Sequence, residues 1–135
     1  MTIVVDVANV MGSRPDGWWR DRAGAAVRLH AEIARLAASG RAILPDAPEP
    51  PRFVMVLEGA ARAAVARIPP AAADEPGEVR VVEARGSGDD AIVALVRELP
   101  GRRVVVTADR ELRARCAAAG AEILGPGWLL GLLRD

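Results

Sequence analysis

The chain has 135 residues, 51% of them apolar and 27% charged, which suits one folded domain over residues 1–135 and excludes disorder of the whole chain. Its 18 basic residues, all arginine, balance 18 acidic ones, so no global positive field holds a polyanion, and nucleic acid would have to meet a local patch or a site charged by bound metal. No apolar run approaches the roughly 18 residues of a membrane span, the start lacks a signal-peptide pattern, and a single cysteine cannot form an internal disulfide, so a cytoplasmic protein away from the membrane is expected.

Short apolar runs at Ile3–Val5, Phe53–Leu57, Val79–Val82, Val104–Val106 and Ala121–Leu124, most of them rich in β-branched residues, predict strands buried on both faces. Between them, Trp18–Ser39 carries Trp19, Ala23, Ala26, Leu29, Ile33 and Leu36 at helical spacing, with Gly40 placed to end it. Ala60–Ile68, Asp90–Leu99 and Arg110–Ala119 are further predicted helices, stopped by Pro69, Pro100 and Gly120. A last apolar segment runs from Trp128 to Arg134. Two Pro-rich stretches, Leu44–Pro51 and Pro69–Gly77, read as surface excursions. The alternation implies an α/β fold of parallel βαβ units, a three-layer α/β/α sandwich with a five-strand parallel sheet. Cys116 falls in a mostly apolar stretch and is expected to be buried.

In open parallel sheets the chemistry gathers at the carboxyl ends of the strands. Asp6 ends the first strand and Glu58 the second; Asp89 and Asp90 follow the third, Asp109 and Glu111 the fourth. Such convergent hard oxygen ligands suit Mg²⁺ or Mn²⁺, and a cation would relieve their mutual repulsion. Each acid also has an ordinary structural use. Ser87 and Asp90 have the spacing of a capping box, Asp109 is placed to cap the helix after it, Glu111 suits a first helical turn, and Glu58 suits an exposed loop. Asp6, at the end of a central strand, is the hardest to explain without a partner or metal. Asn9 has two uses open to it, a contact with ion or phosphate and ordinary turn chemistry.

The segment Val5-Asp6-Val7-Ala8-Asn9-Val10 is similar to the D-x-x-N opening strand of NYN-domain proteins, the PIN-like ribonuclease group. Gly88-Asp89-Asp90-Ala91-Ile92 resembles the A-D-D-x-I segment that these proteins share with flap-type 5′ nuclease domains, and Thr107-Ala108-Asp109-Arg110-Glu111-Leu112 resembles their T-A-D-x-D-L segment. The resemblance extends from the first strand to Gly125-Pro126-Gly127-Trp128-Leu129. It implies strand order 3-2-1-4-5 and a metal-dependent nuclease with Mg²⁺ or Mn²⁺ as cofactor. Asp6, Asp89, Asp90 and Asp109 would then be catalytic metal ligands, with Glu58 and Glu111 as further metal candidates and Asn9 and Thr107 supporting the ligands or the phosphate. Gly88 stands where the family usually has alanine, a change of little expected consequence, and glutamate replaces the commoner aspartate at Glu58 and Glu111.

Two-metal hydrolysis needs no histidine base, and the one histidine, His30, lies mid-helix. The loop Met11–Arg22 sets arginines beside tryptophans, a composition suited to single-stranded RNA. Arg14, Arg20 and Trp18 are its candidate substrate contacts, with Arg85 as a further phosphate contact; Trp19, in phase with the apolar stripe, is expected to pack inward. A catalytically silent nucleic-acid-binding or protein-interaction domain is the second reading, favoured by the zero net charge and the glutamate departures. A phospho-acceptor domain fails for want of a lysine. The oligomeric state is open, a dimer included.

Overall fold

The computed structural model describes residues 1–69 and 78–134. Five parallel strands, β1 (Thr2–Asp6), β2 (Arg52–Leu57), β3 (Val79–Glu83), β4 (Arg103–Val106) and β5 (Glu122–Leu124), form one sheet of order β3-β2-β1-β4-β5. The register pairs Val5 with Met55 on one side and with Val106 on the other, so the end of β1 sits between the ends of β2 and β4. The helices are α1 (Val7–Gly12), α2 (Arg22–Ala38), α3 (Gly88–Glu98), α4 (Arg110–Ala118) and α5 (Pro126–Leu133).

The strand period of two divides the apolar side chains between two cores. Ile3, Val5, Phe53, Met55, Leu57, Val104 and Val106 pack with α1, α2 and α5 on one face. Val4, Val54, Val56 and Val105 pack with Ile92, Val96, Leu112 and Cys116 on the other. Three layers result, with Cys116 buried as its apolar surroundings predict. The three central strands are buried on both faces, but β3 and β5 are half-exposed because each has a neighbour on one side only.

Several boundaries differ from the sequence pattern. The segment after β1 is helical at once: α1 starts at Val7 with Asp6 as its cap, where the sequence pattern predicts no helix. The long helix starts at Arg22, four residues after Trp18, because Asp21 caps it through Gly24 and Trp18–Arg20 forms a separate 3₁₀ turn. Gly59–Arg67 is 3₁₀ throughout, which lets Ala61 and Ala64, three apart, face the core together;. The final helix starts two residues earlier than Trp128, with Pro126 in its first turn, where a missing N–H costs nothing;. Of the two Pro-rich stretches, the first makes a turn closed by a Leu44–Ala47 bridge; residues 70–77 of the second lie outside the described residues. Among the described residues no helix is long and apolar enough to cross a membrane.

Candidate metal and nucleic-acid site

Parallel order brings the carboxyl ends of β2, β1 and β4 side by side, and each is followed by acids. Asp6 is the central one. It is only 7% exposed. Its Oδ2 accepts the Thr107 hydroxyl at 2.9 Å, and its Oδ1 accepts the Asn9 N–H at 3.4 Å, the capping bond of α1;. Loss of hydration pushes its pKa from the ordinary 3.8 up to about 6, the two hydrogen bonds oppose the rise, and the charges of Asp89 and Glu58 add to it;.

Thr107 is fully buried and joins the two central strand ends: its Oγ1 donates to Asp6 and accepts the Asp109 N–H at 3.1 Å. Asn9 makes a second tie. Its Oδ1 accepts the Ala108 N–H at 2.8 Å, which binds α1 to the loop before α4 and commits the amide carbonyl to the protein itself. Asp109 caps α4 by accepting the Leu112 N–H at 2.8 Å on Oδ1. Glu58 reaches across to α3, where Oε2 accepts the Gly88 N–H at 2.6 Å. Asp89, in the first turn of α3, is half-buried; burial raises its pKa, and Asp109, Glu58 and Glu111 raise it further against the pull of Arg115. These acids therefore share one field at one edge of the sheet.

The candidates do not all converge. Asp90 is exposed and turns to Arg115 at 2.9 Å, which lowers its pKa, so Asp89 is the member of the pair that faces the other acids. Glu111 is exposed in the first turn of α4 and reaches the group through its effect on Asp89. The carboxylates that act on Asp6 are those of Asp89 and Glu58, while Asp109 is turned into its own helix. Among the described residues, no three His, Cys, Asp or Glu side chains stand within joint reach of one ion. The donor chemistry nonetheless fits a hard cation, because carboxylate oxygens repel one another here around a desolvated Asp6;.

The expected substrate contacts are placed differently from their sequence reading. Arg14 is not free for phosphate: it forms a two-pronged pair with Glu32 at 2.7 and 2.8 Å, a partner 18 residues away that no local pattern reveals. Trp18 is half-buried against the core, while Trp19 is 55% exposed, the reverse of the helical phase. The reversal follows from the 3₁₀ turn, which shifts both tryptophans out of the frame of α2. Arg20 lies over the Trp19 ring at 5.7 Å. Arg85 is exposed beyond β3. His30 is half-buried in α2, its imidazole held below the usual value by burial.

Two residues without a sequence signal complete the edge. Arg115 holds Asp90, and Arg62 donates to the Gly59 and Ala84 carbonyls, linking the chain after β2 to that after β3. Gly88 also gains a reason. A Cβ there would stand 2.8 Å from Glu58 Oε2, so an alanine would displace that carboxylate.

No protein-family model and no curated protein matches the chain. Among solved structures, the chain is similar to Rae1 (YacP) from Bacillus subtilis, with a TM-score of 0.73 at 15% identity over 99% of this chain and 74% of that one. A tryptophan-to-leucine variant of the same protein gives a TM-score of 0.68 at 16% identity with the same coverage. Likeness at this identity is one of fold, and together with the strand order β3-β2-β1-β4-β5 it gives the chain a PIN-like α/β fold.

Proposed function

We propose that the chain is a cytoplasmic metal-dependent nuclease that hydrolyses phosphodiester bonds of single-stranded RNA with Mg²⁺ or Mn²⁺. The observation that carries this reading is the desolvated Asp6, raised to about 6 amid Asp89 and Glu58 at the carboxyl edge of the sheet. Burial of Asp6 among other acids costs more than its cap and the Thr107 bond return, and a bound cation would offset that cost;. Asp6, Asp89 and Asp109 would hold the ion, with Glu58 beside them. A divalent ion supplies, when bound, a more acidic water and neutralisation of the charge that grows on the leaving oxygen.

The chain's own groups do the rest. Thr107 fixes the Asp6 carboxylate by donating to Oδ2. Asn9, through Ala108, holds the loop that carries Asp109. Arg115 draws Asp90 away and tempers the charge at Asp89. The net charge of zero gives no long-range field towards a duplex, so this reading takes a single strand held by local contacts;.

A second reading, a catalytically silent nucleic-acid-binding or protein-interaction domain, is favoured by one observation: no three acids among the described residues stand within joint reach of one ion. Cleavage of a labelled single-stranded RNA across a Mn²⁺ titration separates the two, read beside the thermal midpoint with and without Mn²⁺. The nuclease reading expects cleavage that an Asp109→Asn substitution abolishes and a midpoint that Mn²⁺ raises. Neither cleavage nor a shifted midpoint would leave the silent domain.

A further inference from the structure

Trp19 is the one large apolar side chain that stands exposed among the described residues, at 55%. Its setting is stiff. Asp16 Oδ1 accepts the Trp18 N–H at 3.2 Å, Gly17 takes a left-handed φ of 76° that other residues rarely adopt, and Arg20 N–H closes the turn on the Gly17 carbonyl at 3.0 Å;. One residue on, Asp21 caps α2 through the Gly24 N–H, where a Cβ would meet Asp21 Oδ2 at 2.2 Å. The ring is braced as well: Trp18 and Trp19 meet at 89° with centroids 6.1 Å apart, Arg20 lies over Trp19, and Arg22 lies over Trp18 at 5.3 Å.

A single exposed aromatic is ordinary on a protein surface; what sets Trp19 apart is the pair of guanidinium groups, Arg20 and Arg22, held against the two rings of the same turn. We propose that the exposed surface of Trp19, with Arg20 and Arg22 beside it, is a stacking platform for an unpaired base of the strand whose backbone runs to the acidic edge. An aromatic face stacks on any base, and the adjoining guanidinium groups suit the phosphates on either side. The nearby acids Asp16 and Asp21 are both engaged with main-chain N–H groups. The place is right too. The Trp18 ring rests 3.8 Å from where a Gly12 Cβ would stand, at the end of α1, and six helical residues span about 9 Å back towards Asp6. One short helix thus joins the turn that carries Trp19 to the acidic edge. The proposal rests on the substrate class given above, a single-stranded RNA, and is independent of whether the edge cuts it.

The test compares wild type, Trp19→Leu and Trp19→Phe for binding of a labelled oligouridine in EDTA, with an RNA duplex as control and cleavage in Mn²⁺ measured in parallel. Loss of the stack should weaken single-strand binding about 5- to 150-fold in the leucine variant. Phenylalanine should restore most of it, and the duplex should bind all three alike. Equal single-strand binding by wild type and the leucine variant overturns the platform, even if cleavage persists. So does a wild-type protein that binds no single strand, or a self-association that Trp19→Leu abolishes while RNA binding is kept. Binding that needs Trp19 in a protein that never cleaves upholds the platform and removes the nuclease reading instead.

Discussion

Replacing Asp6 by asparagine should stabilise the metal-free protein at neutral pH and destroy its response to metal. The carboxyl is 7% exposed, and its pKa rises from 3.8 to about 6. A rise of about two pK units corresponds to roughly 3 kcal/mol between the two protonation states. Because the folded pKa lies above the unfolded one, the native state holds the proton more tightly. The contribution of this group to stability is full below about 3.8, falls as pH rises, and reaches its unfavourable limit above about 6. Asparagine keeps one acceptor oxygen for the Thr107 hydroxyl or the Asn9 N–H and loses the other, a cost of about 1 kcal/mol;. The variant should thus be level with wild type or slightly weaker near pH 4, and stronger by about 2 kcal/mol at pH 8, or roughly 5–10 °C in thermal midpoint. Unfolding curves in EDTA at intervals from pH 4 to pH 8 measure this, and adding Mn²⁺ should then raise the wild-type midpoint alone. A difference between the two proteins that stays constant across that range would refute the reasoning, because it would mean that Asp6 titrates normally in the fold.

Thr107→Val keeps the shape but removes the donor to Asp6 and the acceptor of the Asp109 N–H; it should cost about 2 kcal/mol and drive the Asp6 pKa above 6, read by carboxyl NMR titration. Gly88→Ala should leave unfolding stability almost unchanged, because a better helix former offsets the lost Glu58 contact, yet raise the Mn²⁺ concentration needed for the midpoint shift;. An unaltered Mn²⁺ response would mean that Glu58 takes no part. Arg103→Met removes a guanidinium that donates to the carbonyls of Val96 and Gly120, behind the ends of α3 and α4; it should lower stability by about 1–3 kcal/mol while RNA binding is unchanged, since Arg103 starts β4 at the opposite edge of the sheet;.

The sheet was legible because its strands announce themselves. Runs such as Val104–Val106 are apolar at every position, which only a strand covered on both faces allows, and Pro and Gly separate them from the helices;. The helix after β1 was not legible, because Val7–Gly12 is six residues long and continues the apolar run of the strand, so neither a change of period nor a break marks its start;. Trp19 was misplaced for a related reason: its spacing to Ala23 and Ala26 fits α2, but Asp21 begins that helix two residues later than Trp19, and periodicity cannot see a cap that starts the count afresh. The partners of Arg14 and Asp90 lie 18 and 25 residues away on other helices, beyond any local pattern.

The acids pose a different problem, because each has both a structural and a chemical explanation and a sequence offers them as alternatives. In the folded chain they are compatible. Asp6 caps α1, Asp109 caps α4, and Glu58 satisfies the first N–H of α3 beside its Ser87 cap, so three helices begin at one edge, each with a carboxylate bound to its first turn. A carboxylate has two oxygens and about four lone-pair positions. The cap on Asp109 occupies Oδ1, and the bond from Gly88 occupies Oε2 of Glu58, which leaves Oδ2 and Oε1 for a cation. At Asp6 burial outweighs the two hydrogen bonds. A cation arriving at this edge below about pH 6 would therefore have to displace a proton from Asp6;. Mn²⁺ affinity, read from the midpoint shift, should accordingly rise steeply with pH up to about 6 and level off above it, while Asp6→Asn shows no Mn²⁺ response at any pH; a wild-type affinity that does not change between pH 5 and pH 7 would refute this;.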